Sequence, residues 1–386
     1  MELFKASSQW SSRPADERFA TTQAMYDACK GYADTAKVSQ VPYGELRVEA
    51  VKDDVQIAGK AGRFAKLTHW AFGQLSRMVG APADYLRTVP ATLASQNLNW
   101  GLKNKAEDFG TKEAQLLFHS NGDLLLRSVT SDQYSRIWNW LIAKRLISLQ
   151  DMGWRVPPAR PALPDQPGTR SATKDDVLDS AKLFDIGIHE GDLIAPAGLY
   201  ASDHDMFAFM VNEKHPIDSG SGKPMYKGLF AWNSEVGASS FGLMTFLYDA
   251  VCGNHIVWGA QGVREVRIRH IGSADERATQ ELQVELSRYS QSAVGDIEMA
   301  IKRARTVKIA MKKEDVLQKL FDKRIATFTN LEKAYGLAEK HESVNGAPNT
   351  VWGMVSGLTR LSQDTPFADK RVELDRQAGK LMEIEF

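Results

Sequence analysis

Cysteine and long apolar runs are both scarce in this sequence. Its 386 residues include two cysteines, Cys29 and Cys252, which are far apart along the chain. This usage argues against a disulfide framework and a cysteine zinc site, and it favours a reducing, cytoplasmic setting. No apolar run approaches the roughly 20 residues that span a bilayer, and residues 1–18 lack the basic start and apolar core of a signal peptide. We therefore expect no membrane association.

Net charge and nucleotide-binding glycine motifs are also absent. The 48 lysines and arginines balance the 48 aspartates and glutamates, so any nucleic-acid binding must come from local basic patches. Neither Gly-x-x-x-x-Gly-Lys-Ser/Thr nor Gly-x-Gly-x-x-Gly after a strand is present, which disfavours ATP-driven and dinucleotide-dependent reactions.

The patterning of the chain predicts an α+β fold in which helices flank a mostly antiparallel central sheet. Thr68 and Gly80 are typical of the start and the stop of a helix, and Asn121-Gly122 predicts the turn of a hairpin over residues 116–129. We expect an N-terminal α+β region (1–155), a proline-rich linker or surface crossing (156–172), a β-rich core (173–272) and a C-terminal helical region (273–386).

A compact polar motif follows an apolar run in the expected β-rich core. Asn233, Ser234 and Glu235 lead into Val236-Gly237, and a second apolar run ends near Asn254 and His255. We predict that these five polar residues form turns, structural or ligand-facing, whose side chains hold backbone groups. No catalytic residue is assigned, because Glu235 has no obvious second carboxylate and Ser234 lacks the Gly-x-Ser-x-Gly context. Cys252 beside His255 is not a usual nucleophile geometry.

Two segments are strongly basic. One is a predicted strand over residues 263–271, in which Val266, Ile268 and His270 share one face and the arginines lie on the other. The second follows Ala300, where no acidic residue occurs before Lys313, and Lys302, Arg305 and Lys308 are expected on one side of a helix. The candidate nucleic-acid-binding residues are Arg264, Arg267, Arg269, Lys302, Arg303, Arg305, Lys308 and Lys312. A groove between the segments would attract single-stranded DNA; the alternatives are a solvated strand face and an ordinary amphipathic helix.

Two acidic turns and a set of aromatic residues each have two interpretations. His189, Glu190 and Asp192 form one turn, and residues 203–205 (Asp-His-Asp) form the next; together they could bind a divalent ion, or they could simply be turn-forming residues. We expect no cofactor and assign no metal ligand, with a divalent ion as the alternative. The central aromatic residues are expected in the core, although exposed rings could stack on bases; they are Tyr226, Phe230, Trp232, Phe241, Phe246, Tyr248 and Trp258.

The motif residues resemble a family catalogued as domain of unknown function 932, found in phages and plasmids. The resemblance rests on residues 230–240 and 246–255, supported by residues 67–75, 84–86 and 97–100 and by Val351-Trp352-Gly353, Thr359 and Arg371. It extends roughly from Val41 to the C-terminus. One departure is His255, since many members have Asn-Gly after the cysteine. The resemblance implies a mobile-element context in a bacterial cytoplasm but no established chemistry.

The sequence thus favours a non-enzymatic, homo-oligomeric protein that binds single-stranded DNA and promotes annealing during recombination or replication. A metal-dependent nuclease or other enzyme is one alternative, and an anti-host or protein-interaction factor is another. The resemblance to phage annealing proteins is an analogy of architecture.

Overall fold

The computed structural model describes residues 17–59, 62–105, 108, 110–161, 169–183, 188–196, 198–220, 224–249, 254–256, 265–342, 346–363 and 368–386. These residues form helices and largely antiparallel sheets, so the predicted α+β class is confirmed. None of the helices in these ranges is long and apolar enough to cross a membrane.

Seventeen strands are described. They are β1 (Arg18–Phe19), β2 (Ala36–Pro42), β3 (Val48–Val51), β4 (Asp54–Ala58), β5 (Phe64–Leu67), β6 (Glu113–Asn121), β7 (Asp123–Ser131), β8 (Trp154–Arg155), β9 (Arg160–Pro161), β10 (Arg170–Ser171), β11 (Leu193–Ala195), β12 (Leu199–Ala201), β13 (Met206–Asp218), β14 (Pro224–Asn233), β15 (Phe241–Asp249), β16 (Asn254–Ile256) and β17 (Glu265–Ile268).

Twelve α-helices are described in the same ranges. They are α1 (Thr22–Asp34), α2 (His69–Val79), α3 (Ala83–Leu86), α4 (Ala91–Asn104), α5 (Asn139–Ser148), α6 (Lys174–Leu183), α7 (Ala274–Gln291), α8 (Gly295–Thr306), α9 (Lys313–Asp322), α10 (Phe328–Lys340), α11 (Val351–Gln363) and α12 (Ala368–Leu381).

A six-stranded sheet with the order β2-β6-β7-β5-β4-β3 forms the N-terminal layer. Its apolar face, which includes Ile57 and Leu126, packs against α2 and α4 through Leu75 and Leu98. The N-cap and stop predicted for α2 are confirmed: the Thr68 hydroxyl accepts a hydrogen bond from the Ala71 amide, and Gly80 is left-handed. The predicted hairpin is confirmed as β6 and β7.

An eight-stranded antiparallel sheet forms the second layer. Its order is β1-β12-β13-β14-β15-β16, with β17 also pairing β15 and β8 pairing β13. One face buries Met206, Leu229 and Leu243 with residues of α1, α5 and α7. On the same sheet Gly242 lies opposite Trp232, where an added Cβ would come within 1.9 Å of the indole ring. Glycine is therefore required for this close approach.

The C-terminal helices α8–α12 pack around a separate apolar cluster at one end of the large sheet. Ile217 and Met225 of the sheet join Ile301, Leu320 and Leu358 in this cluster. The four segments expected from sequence are interleaved in space, because α1 and α5 from the N-terminal segment belong to the large-sheet core. The proline-rich segment contributes β9 and β10 to a small sheet with β11.

Several sequence expectations require correction. The strand predicted over residues 263–271 ends at Ile268 in the structure (β17, Glu265–Ile268), and residues 263 and 264 lie outside the described residues. The basic helix ends at Thr306, because Val307 is extended and Lys308 pairs with Thr350 in an isolated bridge. Asn254 and His255 were expected in a turn but lie in β16, where they pair with β15.

Candidate functional site

The Asn233-Ser234-Glu235 motif lies where β14 ends, between the two large sheets. All three residues are buried, and Gly237 completes the turn with φ of 81°. A positive φ of this size favours glycine over residues with a Cβ.

Ser234 is fully engaged by backbone groups. Its hydroxyl donates to the His204 carbonyl at 2.6 Å and accepts from the amides of Val236 (3.3 Å) and Ala238 (2.9 Å). The Tyr134 hydroxyl donates to the Ser234 carbonyl at 2.9 Å. The Ser234 hydroxyl therefore fixes the turn and is poorly placed to act as a nucleophile.

Asn233 and Glu235 hold the start of α5. The Asn233 amide donates to the Ile137 carbonyl at 2.7 Å and to the Asn139 side-chain oxygen at 2.8 Å. Glu235 Oε1 accepts from the Asn139 amide at 2.8 Å. A carboxylate at a helix N-terminus is stabilised by the unsatisfied amides and the helix dipole.

A buried ion pair links this motif to the N-terminal sheet. Arg127 Nη1 of β7 lies 3.1 Å from Glu235 Oε2, and the two side chains are 2% and 1% exposed. Arg127 also donates twice to the Asp203 carbonyl, at 3.0 and 2.6 Å. Arg136 donates to the Glu235 carbonyl, and burial lowers the pKa of Arg136 to about 10. The carboxylate of Glu235 thus offsets the charge of two buried guanidinium groups.

Helix α2 contacts the same motif. Trp70 Nε1 and Gln74 Nε2 both donate to the Val236 carbonyl, at 3.0 and 2.7 Å. Gln74 Oε1 accepts from the Val129 amide at 2.9 Å. Two sequence segments that carry the family resemblance, residues 67–75 and 230–240, are therefore in direct contact. The motif is a structural junction, and its polar atoms are largely occupied by protein groups.

The partners Arg127, Arg136 and Asn139 were not predicted from the sequence. Each is about 95 to 110 residues from the motif in sequence, so no local pattern connects them. One signal in the sequence could have indicated a buried ion pair: Arg127 lies within the apolar run of a predicted strand, and buried charges are almost always paired.

Each acidic turn places its histidine beside a neighbouring aspartate. His189 Nδ1 lies 3.4 Å from Asp192 Oδ2, and His204 Nδ1 lies 2.7 Å from Asp203 Oδ1. Within the described ranges, no group of three or more His, Cys, Asp or Glu side chains is arranged to hold a metal ion. Cys252 lies outside the described residues.

The central aromatic side chains that the structure describes lie in the core or beside it. Trp232, Phe241 and Phe246 are buried, and the rings of Phe230 and Phe246 are 4.4 Å apart. Their faces are not available for base stacking. Trp258 lies outside the described residues.

The arginine strand has the predicted alternation. Ile268 and His270 are buried, Val266 is half-buried, and Arg267 and Arg269 are exposed. Arg264 lies outside the described residues. Arg267 is on β17 at the edge of the large sheet, and Arg269 follows directly after that strand, near the motif end of the sheet.

The second basic segment is at the opposite end of that sheet. Arg305 Nη1 donates to the Ser219 carbonyl just after β13, whereas Arg267 is aligned through β15 and β14 with Phe207 near the start of β13. The intervening strand places the two segments roughly 30 Å apart. The expectation that they line one groove is therefore wrong.

A larger basic surface surrounds this second segment. Residues 299–328 contain nine lysines and arginines but three acidic residues, a net charge of +6 in a chain that is neutral overall. Seven of these cations are exposed. We call them the C-terminal basic surface: Lys302, Arg303, Lys308, Lys312, Lys319, Lys323 and Arg324.

Few carboxylates offset these cations. Lys302 lies 3.8 Å from Asp218, and no other member of the set has a carboxylate within ion-pair distance among the described residues. Lys319 Nζ donates to the Ile309 carbonyl at 3.0 Å, which joins α9 to the segment before it. The chemistry of this surface suits anionic groups such as phosphates.

Comparison with known proteins identifies a family but no characterised relative. A family model described as Domain of unknown function (DUF932) matches residues 176–375, more than half of the chain. No curated protein and no solved structure matches. The matched range starts later than the resemblance expected from Val41, and it contains the motif, β17 and the whole C-terminal basic surface. The chain therefore belongs to the DUF932 family.

Proposed function

We propose that this protein binds single-stranded nucleic acid through its C-terminal basic surface. One observation carries the proposal: a net charge of +6 is concentrated in 30 residues of a neutral chain, and among the described residues Lys302 is the one exposed cation of this set that lies within ion-pair distance of a carboxylate. Helix α9 alone is about 15 Å long, so the surface can contact several phosphates spaced about 6–7 Å apart along an extended strand.

A role without covalent chemistry fits the buried motif. Ser234 and Glu235, the polar residues that a catalytic mechanism would first require, hold backbone and guanidinium groups. We therefore retain the proposal of a binding or annealing protein of phage or plasmid DNA metabolism in the bacterial cytoplasm. Annealing by charge neutralisation requires neither ATP nor a metal.

The direct test is a fourfold alanine variant of the basic surface, changing Lys302, Arg303, Lys308 and Lys312. These side chains are exposed, so each change costs about 0.5 kcal/mol or less in stability. Each lost phosphate contact lowers the slope of log K against log salt by about 0.7 for a single strand. We expect weaker binding of a fluorescent dT20 oligonucleotide and a slope reduced by about 3.

A matched control separates local from global charge effects. Alanine at four exposed lysines of the N-terminal region removes the same charge: Lys37, Lys103, Lys112 and Lys144. This control should bind dT20 nearly as the wild type does. Equal losses in both variants, or no loss in either, would contradict the assignment of the basic surface.

The arginine strand is proposed as a separate contact. Because Arg267 and Arg269 lie roughly 30 Å from the basic surface, an oligonucleotide of four residues cannot span both. Alanine at both arginines should therefore weaken binding of dT20 but leave binding of dT4 unchanged. Loss of dT4 binding would show that the short strand binds at β17 instead.

An exposed apolar face supports the protein-interaction alternative and the expected homo-oligomer. Leu93 and Trp100, seven residues apart, lie on the same side of α4, and Trp100 is 70% exposed. Exposed tryptophan is enriched at the centres of protein interfaces. If this face mediates self-association, Trp100→Ala should lower the sedimentation coefficient at micromolar concentration. A monomeric sedimentation coefficient for both the wild-type protein and the variant would contradict self-association through this face.

A further inference from the structure

Two phenylalanines are exposed within the C-terminal basic surface. Phe321 in the last turn of α9 and Phe328 at the start of α10 are 47% and 42% exposed. Their rings are 6.1 Å apart and nearly perpendicular, at 74°. Nearly half of each side chain is therefore exposed beside the cations of this surface, whereas phenylalanine is usually buried.

The turn between these rings contains an unusual arginine. Arg324 has φ of 55°, one of two non-glycine residues with positive φ in the described chain. Its amide donates to the Phe321 carbonyl at 2.8 Å, and the Ile325 amide donates to the Leu320 carbonyl at 3.0 Å. This is the Schellman pattern, in which glycine is preferred at the left-handed position. Arginine occupies this position despite the backbone strain of a positive φ.

The strained arginine is available to a ligand. The Arg324 side chain is exposed and makes no hydrogen bond or ion pair with any residue in the described ranges. Phe321, Arg324, Thr327 and Gln377 line an open depression. Backbone strain at an exposed, unpaired side chain supports a functional role for that side chain.

We propose that Phe321, Phe328 and Arg324 form a stacking site for an unpaired nucleobase. The inference rests on the proposed function, because neighbouring cations would hold the phosphates while the rings receive the base. Aromatic faces and guanidinium planes both stack on bases. In a duplex these base faces are covered by neighbouring bases, so the site selects single strands.

A carboxylate argues for a base rather than a phosphate at this position. Asp322 also lines the depression, and its Oδ1 accepts from Gln318 Nε2 at 2.8 Å. A phosphate placed here would be repelled by this charge, whereas a neutral base would not. The flanking phosphates would be held by Lys323 and by the Lys319 ammonium donors that the Ile309 carbonyl leaves unused.

The test compares dT20 with an abasic 20-residue strand of equal charge. Stacking predicts that the wild-type protein binds dT20 at least tenfold more tightly than the abasic strand. Alanine at both Phe321 and Phe328 should remove that difference without changing the salt slope. Leucine at both positions serves as a control for apolar area, and it should also remove most of the difference.

A second variant separates stacking from folding. Glycine adopts the positive φ at position 324 without the steric cost of a Cβ, so Arg324→Gly should raise thermal stability while the preference for dT20 falls. Equal wild-type affinities for dT20 and the abasic strand would overturn the stacking site and leave the proposed function intact. Failure to bind either strand would overturn both. Retention of the preference in the double alanine variant would also refute the assignment.

Discussion

Replacement of Glu235 by glutamine tests the structural role of the motif. Glutamine preserves the volume and one oxygen that can accept from the Asn139 amide. It removes the charge that pairs with Arg127 at 3.1 Å and that acts on Arg136. The guanidinium groups of Arg127 and Arg136 are both buried. The variant therefore leaves two buried positive charges without the nearby Glu235 carboxylate.

The expected loss of stability is large. Breaking a buried ion pair by neutralising one partner costs about 3–5 kcal/mol, against a typical total of about 5–15 kcal/mol for a folded domain. Chemical denaturation followed by far-UV circular dichroism should show a lower midpoint with an unchanged slope.

The double variant Arg127→Met with Glu235→Gln is the matched control. Removing the buried cation as well should recover part of the stability lost in Glu235→Gln, because Arg127 is then no longer left unpaired. A loss below about 1 kcal/mol in the single variant would refute the reasoning, as would a double variant less stable than either single one. Loss of a measurable catalytic turnover with normal folding would instead identify Glu235 as a catalytic group.

Four further predictions concern buried groups. Lys227 donates to the carbonyls of Tyr289, Ser290 and Ser292 at the end of α7, so Lys227→Met should destabilise the fold by about 2–4 kcal/mol in urea denaturation. Gly242→Ala should cost about 1–3 kcal/mol, because the Trp232 ring must move; an unchanged melting temperature would contradict this. Burial lowers the pKa of His270 to about 4. The unfolded chain therefore binds a proton at higher pH than the folded protein does, so the free energy of unfolding should decline by up to about 3 kcal/mol as pH falls from 6.5 to 4. His270→Asn should flatten that decline. Burial raises the pKa of the free Cys29 thiol, so mass spectrometry should find Cys29 unlabelled by a thiol reagent until the protein unfolds, whereas rapid labelling of native protein would contradict its burial.

Features set by local backbone chemistry were predictable from the sequence. Helix α2 begins after Thr68 and ends before Gly80 as expected, because a hydroxyl N-cap and a left-handed glycine act within one turn of the helix. The alternation around Ile268 likewise identified which side chains are buried and which are exposed.

Features set by distant contacts were not predictable. Helix α8 ends at Thr306 where Lys308 pairs with Thr350, a residue 42 positions away. The buried partners of Glu235 come from β7 and the start of α5, and no local pattern selects Arg127 from the other arginines. The two basic segments are close in sequence but lie at opposite ends of β13, because the strands between them run the full length of the sheet.

Photocrosslinking of a bound oligonucleotide tests the central proposal most directly. A strand containing 4-thiothymidine, bound to the wild-type protein and irradiated, should form crosslinks that peptide mass spectrometry assigns mainly to residues 299–328. Crosslinks to Phe321 or Phe328 would further support base stacking. Efficient crosslinking confined to the N-terminal sheet, or no crosslinking at concentrations that saturate a positive-control single-strand-binding protein, would contradict binding at the C-terminal basic surface.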